Sequence, residues 1–427
     1  MKVLWFTNVP LPAMSAHLGQ RPTVLGGWMP SLASLLRAEG GIELAVATAV
    51  PGASDMQFTS EGIRYYTIAQ LPRTHFLKYS KANLERARAI VADYRPDVVH
   101  VHGTERFYGL IAQAKLDVPV VVSIQGLISQ YRRFWFAGLN YRERLRALRV
   151  RDMLRLKGPV LEYRWWQTGA SRESEIIRLN QYFIGRTEWD KAWVRAMNPG
   201  AMYYCCDEAI RQAFFDRDRS LADIERHSIL FTNAMQPLKG IPVLLDAAAI
   251  LRRRYPDLQV RLAGDWYPRS GWGRIITHKL RTLGLKECVT FTGPVDAPTL
   301  AAFLLKANLF VCPSWIDNSP NSIAEAMLVG TPCVASFTGG LPTILTPGET
   351  ALMYPPGDSA LLAAAVDRIF DDDALALRLT SAAKSVALRR HEPHRIVDRQ
   401  LEIYQEVISN HAHSPHKHLA GPATLLC

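Results

Sequence analysis

Short apolar runs that alternate with helical-period segments, twice over, constrain this chain more than any other feature. In the first half the runs are Val3–Thr7, Ile42–Thr48, Val98–His102, Val118–Ile124, Tyr182–Gly185 and Met202–Cys205. In the second half they are Ile229–Thr232, Gln259–Ala263, Val289–Thr292, Leu309–Cys312 and Cys333–Ser336. Segments with helical spacing separate most of them, among them Ser80–Tyr94, Ile241–Arg254, Pro298–Lys306 and Asn321–Val329. Strand–helix alternation builds parallel sheets, so two such series predict two doubly wound α/β domains. The 427 residues also exceed what one core comfortably serves.

The expected boundaries follow from where the pattern lapses. Residues 1–215 form the first domain, the charged strandless stretch 216–226 a linker, and residues 227–390 the second domain. Beyond Asp358 the pattern is purely helical through Ala360–Phe370, Ala374–Arg389 and Ile396–Ile408. Residues 391–410 are expected to form a C-terminal helix that returns to the first domain, and 411–427 a disordered, histidine-rich tail.

Several classes are excluded at this level. Apolar residues make up 48% and charged residues 21%, the balance of a folded domain rather than a disordered one. No stretch reaches the ~18 apolar residues of a membrane span. The start, Met1-Lys2-Val3-Leu4-Trp5-Phe6-Thr7, is broken by Asn8, Pro10 and Pro12, so it reads as a strand and not a signal peptide. A cytoplasmic protein is expected, peripheral at the inner membrane face. The six cysteines show no C-x-x-C spacing, which leaves them as small hydrophobes. The formal charge of +11 suits nucleic acid, anionic lipid or phosphorylated substrates, and only its location can separate these. No G-x-G-x-x-G or P-loop follows an expected strand, so nicotinamide and P-loop chemistry lack support.

The segment Pro313–Met327 is the most informative. A buried strand ends at Pro313-Ser314, a polar turn carries Asp317, and a helix is expected to open near Ser319 and Pro320 with a hydroxyl cap. Open α/β sheets bind ligands beyond the carboxyl ends of their strands, and a helix start there offers amides and positive dipole to a phosphate. Asn321 and Ser322 would supply those amides. Glu325 lies about one and a half turns inside, so the two carboxylates can address opposite ends of a diphosphate ligand.

The arrangement Asp317…Glu325-Ala326-Met327 followed by Gly330-Thr331-Pro332 resembles the E-x7-E signature of family 4 glycosyltransferases, with Asp in place of the first Glu. Lys239-Gly240 is similar to the family's phosphate-binding R-x4-K-G, although Ala234 stands where the arginine is expected. Arg261 and Arg269 are the cations that could compensate. Leu262-Ala263-Gly264, Phe291-Thr292-Gly293 and Gly339-Gly340-Leu341-Pro342 match the family's strand ends. Gly264 there would let backbone approach a donor closely.

In the first half, Gly26-Gly27 resembles the glycine loop that faces the interdomain cleft, and Pro96–Gly103 a common family strand. Gln125 stands where many relatives carry a cleft histidine, which rules out a histidine step there. Arg186 follows a strand and either faces phosphate or forms a surface salt bridge.

The resemblance implies a GT-B fold and a retaining transferase that uses a nucleotide sugar and no metal or other cofactor. It assigns Glu325 to the ribose hydroxyls, Asp317 to the donor sugar and Lys239 to the phosphates, with Gly26, Gly27, Gln125 and Arg186 on the acceptor or cleft side. The acceptor class it implies is a glycan or lipid-linked glycan. Asp371-Asp372-Asp373 imitates a D-x-D metal motif, but it joins two helices instead of ending a strand, so no metal is assigned to it.

Two rival classes are a nucleotide-sugar epimerase of the same fold and a non-catalytic nucleotide-sugar binder. A nucleic-acid partner is not expected, since no RNA-binding motif is present. Finally, Tyr131–Lys157 interleaves arginines (Arg132, Arg133, Arg142, Arg144, Arg146, Arg149) with Phe134, Trp135, Phe136 and Tyr141. That mixture suits docking on an anionic membrane, or equally a helix packed on its own domain.

Overall fold

Two sheets organise the molecule, each wound as the alternation predicts. The computed structural model describes residues 1–20, 26–72, 74–75, 77–147, 159–233 and 237–413. The first sheet contains β1 (Lys2–Thr7), β2 (Glu43–Pro51), β3 (Met56–Ser60), β4 (Ile63–Gln70), β5 (Val98–His102), β6 (Val120–Ser123), β7 (Tyr182–Gly185) and β8 (Met202–Cys205). Their order across the sheet is β3-β4-β2-β1-β5-β6-β7-β8, and every pairing is parallel except β3 with β4. The β3–β4 hairpin was not among the expected strands, and neither was a last strand of the second domain at Leu352–Tyr354.

The second sheet contains β9 (Glu225–Thr232), β10 (Gln259–Ala263), β11 (Val289–Gly293), β12 (Ala307–Cys312), β13 (Cys333–Ser336) and β14 (Leu352–Tyr354). It is wholly parallel, in the order β11-β10-β9-β12-β13-β14. The order reverses between β1 and β5 in the first sheet and between β9 and β12 in the second. Crevices open beyond the strand ends at such reversals. Both expected Rossmann-like domains of the GT-B fold are therefore present.

Helices cover both faces of each sheet. Ile241–Leu251 and Ser359–Asp371 pack Leu244, Leu245, Leu362 and Val366 onto one side of the second sheet. Asn321–Val329 packs Ile323, Met327 and Leu328 onto the other. The expected linker region holds one short turn, Leu221–Asp223, and the first two residues of β9.

The final helix, Pro393–His413, belongs to the core of the first domain. Ile396, Val397, Ile403, Tyr404 and Val407 pack with Trp5, Trp28 and Leu36. Trp5 Nε1 donates to Tyr404 Oη at 3.0 Å, and that hydroxyl shares a second hydrogen bond of 2.7 Å with His100 Nδ1. Helix continues through residues 411–413, three residues into the stretch expected to be disordered, and residues from 414 lie outside the described set.

Two aromatics of the basic segment, Trp135 and Phe136, pack inside the protein. Trp135 lies 5.0 Å from Trp166 and 6.1 Å from Trp272, ring to ring. Phe136 also contacts Trp272, and Leu139 packs on Ile275. Trp272 and Ile275 belong to the helix Gly271–Thr282, so this segment spans from the first domain to the second. Tyr141 and Leu145 stay exposed on the short helix Tyr141–Ala147. Residues 148–157, including Arg149, lie outside the described residues.

Candidate functional site

The loops that leave the two reversal points face each other across a cavity of about 370 Å³. From the second domain come Thr232, Asn233, Lys239, Gly264, Asp317, Asn321, Ser322 and Glu325. From the first come Gly26, Gly27, Glu105, Gln125, Tyr131, Arg186, Glu208 and Arg211. Apart from Arg261 and Arg269, the site residues singled out above line this cavity.

Lys239 reaches it on a single turn, Pro237–Lys239, that precedes the helix Ile241–Leu251. Gly240 between them has φ +75°, and a Cβ there would sit 1.8 Å from the Pro313 carbonyl oxygen. No other residue lets the loop after β9 lie so close to the end of β12. That approach places Lys239 Nζ 2.6 Å from Asp317 Oδ2. Ser314 Oγ donates to the same oxygen at 3.1 Å, and the Asn318 amide donates to Oδ1 at 3.1 Å. Burial pulls the Lys239 ammonium down, but Asp317 outweighs it and its pKa rises above the ordinary value.

The helix Asn321–Val329 spans the expected segment, but the hydroxyl cap expected at Ser319 is not there. Its N-cap is Pro320, and no side chain caps it, so Ser319 does not satisfy the first amides. An uncapped start at a cavity wall leaves donors and positive dipole for an anion. Glu325 is buried deeper in the same wall and accepts from Arg211 Nη2 at 2.6 Å. Burial raises its pKa, against the opposing charge of Arg211.

Arg186 makes a buried ion pair with Glu208, not a surface salt bridge. Its Nη2 also donates to Gln125, to the carbonyl at 3.3 Å and to Oε1 at 3.4 Å. Among the described cavity residues, each cation is thereby matched to one carboxylate: Lys239 to Asp317, Arg211 to Glu325, Arg186 to Glu208. Glu105 is a fourth carboxylate, held by Asn8 Nδ2 at 2.7 Å and pushed by burial to a pKa of about 7.

Ala234 lies outside the described residues, so its departure from the family pattern has no structural account. Neither arginine proposed to compensate for it reaches the cavity. Arg261 pairs with Glu225 at 3.1 Å, and Arg269 is exposed before the helix Gly271–Thr282. Arg211 is the additional cation present. The triplet Asp371-Asp372-Asp373 is engaged elsewhere: Asp371 with Arg254, Asp373 with Arg226, and Asp372 as a cap for Leu375.

Arg211, Glu208, Glu105 and Tyr131 were not expected. Glu105 follows β5 by three residues at the sheet's reversal point, which was a usable signal. Arg211 and Glu208 lie in an irregular stretch after β8 and carry no motif.

Comparison with known proteins places both halves of the chain among glycosyltransferases. Residues 226–372 match the family described as "Glycosyl transferases group 1", and residues 29–170 the "Glycosyl transferase 4-like domain". The chain is 33% identical over 164 residues to a D-inositol 3-phosphate glycosyltransferase of Paenarthrobacter aurescens, covering 38% of this chain and 40% of that one. It is 25% identical to the alpha-D-kanosaminyltransferase of Streptomyces kanamyceticus over 72% of this chain and 77% of that one. The chain spans about two fifths of the length of the first curated relatives it matches.

Among solved structures, sucrose-phosphate synthase from Thermosynechococcus elongatus superposes with a TM-score of 0.74 at 20% identity, over 96% of this chain and 99% of that one. Anabaena HepE, solved in complex with UDP and glucose, gives 0.69 at 16% identity over 95% and 99%.

Proposed function

The chain belongs to the family 4 glycosyltransferases of GT-B fold, and we propose that it moves a sugar from a nucleoside-diphosphate sugar to a hydroxyl of a glycan or lipid-linked acceptor, with retention, in cell-surface polysaccharide synthesis. One observation carries this reading. Lys239, Asp317 and Glu325 converge with an uncapped helix start on a cavity walled by both domains. The complex of HepE with UDP and glucose supports a nucleotide sugar as the co-substrate.

In this reading Lys239 and the amides of Asn321 and Ser322 receive the diphosphate, and Glu325 receives the ribose hydroxyls. Asp317 sits toward the donor sugar. The acceptor oxygen forms its bond to the anomeric carbon as the sugar–phosphate bond breaks. The bonding pair leaves with the phosphate, which also takes the hydroxyl proton. Lys239 and the helix amides offset the charge that develops on the leaving oxygen, the kind of preorganised stabilisation that dominates many enzymes. Walls from both domains exclude water from the reacting bond. Exposed Tyr141 and Leu145 beside Arg142 and Arg144 would bring the cleft to an anionic membrane carrying the acceptor.

Thermal unfolding with UDP-glucose, UDP-N-acetylglucosamine and GDP-mannose tests the donor, because a bound ligand raises apparent stability by mass action. A shift with one of them, followed by NMR of the anomeric configuration in the product, supports the assignment. Interconversion of the nucleotide sugar without an acceptor would favour an epimerase. Binding without any turnover would favour a sensor.

A further inference from the structure

We infer that Asn318 is a positioning residue that couples closure of the two domains to the placement of Asp317; this rests on the reading given under Proposed function. Asn318 belongs to the second domain, is 0% exposed, and spends both ends of its carboxamide on the first. Its Oδ1 accepts from Thr187 Oγ1 at 2.6 Å, and its Nδ2 donates to Asp190 Oδ2 at 2.8 Å. A weaker contact runs from the same nitrogen to the Gln125 carbonyl at 3.4 Å.

The two first-domain partners are themselves rigid. Thr187 and Asp190 form the capping box of the helix Glu188–Met197, and Asp190 also accepts from Tyr203. Such reciprocal caps fix side chains as well as the helix end. Asn318 therefore meets a donor and an acceptor already in place, which a carboxamide, accepting at one end and donating at the other, matches in both polarities.

The same residue holds the acid. Its backbone N–H donates to Asp317 Oδ1 at 3.1 Å, and the Asp317 carbonyl accepts from Gly340 at 2.9 Å. A Cβ on Gly340 would lie 2.2 Å from the Asn318 carbonyl oxygen and 2.5 Å from Thr187 Cγ2, so backbone of one domain touches side chain of the other there. Nearby, the Glu188 amide donates to Thr343 Oγ1 at 3.2 Å. Separation of the domains would strip Asn318 of both side-chain partners and release the turn that orients Asp317. Closure and the placement of Asp317 are one event.

The test uses the full-length chain and three variants: Asn318→Asp, Asn318→Ala and the double variant Asn318→Asp/Asp190→Asn. Asn318→Asp sets a carboxylate against Asp190, whereas the double variant restores one acceptor facing one donor. UDP binding by calorimetry, UDP release from UDP-glucose, and the radius of gyration from X-ray scattering are read together. Both single variants should keep UDP affinity within about twofold, lose turnover by about 5- to 150-fold and enlarge the scattering radius, in the usual range of coupling between sites. The double variant should recover most of the turnover. Should Asn318→Asp fail to fold, Asn318→Ala carries the test alone. Unchanged turnover, or parallel loss of UDP affinity and turnover at constant radius, overturns the coupling. Absence of UDP binding in the unaltered protein would instead remove the donor reading on which it stands.

Discussion

Replacing Glu105 by Gln should stabilise the protein in mild base and do little in mild acid. Glu105 sits in the cleft wall with Asn8 donating to it at 2.7 Å, and burial is the largest influence on its carboxyl. Glu173 adds repulsion, while Asn8 and Arg172 relieve part of it, and the outcome is a pKa of about 7 against an ordinary 4.5. The folded protein therefore holds a proton that the unfolded chain has already released between these values. Stability is full below the unfolded pKa, falls as pH rises through the window, and stays reduced above the folded pKa. At about 1.36 kcal/mol for each tenfold in proton affinity, the displacement amounts to roughly 3 kcal/mol. Gln imitates the neutral acid and can still accept from Asn8, so it removes that penalty. Glu173, whose pKa burial also raises, titrates more easily beside a neutral neighbour, and this adds to the gain. Denaturant unfolding followed by tryptophan fluorescence should show the variant more stable by about 2–3 kcal/mol at pH ~8 and by under about 1 kcal/mol at pH ~5. Equal differences at both pH values, or destabilisation in base, would refute a buried, proton-holding Glu105.

Glu325→Ala should weaken nucleotide-sugar binding by about 1.5–3 kcal/mol in calorimetry, since the ribose loses a charged acceptor and Arg211 its partner. Lys239→Ala should abolish most UDP release from the donor and Lys239→Arg restore only part, because the guanidinium cannot reproduce a compact ammonium 2.6 Å from Asp317. Asp317→Asn should lower turnover more than donor affinity in steady-state kinetics. Tyr404→Phe should cost about 1–3 kcal/mol in denaturant unfolding, as Trp5 Nε1 loses its buried acceptor and His100 one of its partners.

How much of this was legible in the sequence depended on the distance over which each feature is encoded. Strands such as β5 and β12 and the helix Asn321–Val329 announce themselves within a few residues, through an apolar run and a change of period. The Asp317–Glu325 signature is equally local, and so was its reading. The β3–β4 hairpin escaped because its outer strand alternates only half-buried and exposed positions, and its turn is Glu61-Gly62, both with positive φ, where no Asn-Gly signal stands. The N-cap at Ser319 was misplaced because a hydroxyl before proline is a strong generic signal, and here the helix start faces a cavity where a side-chain cap would compete with a ligand.

The electrostatics of the site were the part that could not be read, and the reason is topological. Arg211 stands 114 residues before Glu325, and Thr187 stands 131 before Asn318. Each pair joins elements of different domains, brought together only because the carboxyl ends of the two sheets face one another. Local sequence can mark a carboxylate as available but cannot say which cation will neutralise it. Three cations here are matched to three carboxylates in one cavity, while Glu105 meets an amide and holds its proton up to about pH 7. A diphosphate that enters beside Lys239 must compete with Asp317 for the ammonium, and ribose hydroxyls at Glu325 must compete with Arg211. The ion pairs that fill the cleft thus hold its walls at low net charge. If the proposed donor site is right, UMP, which has no diphosphate to draw Lys239 from Asp317, should bind more weakly than UDP in calorimetry, and equal affinities would refute this competition.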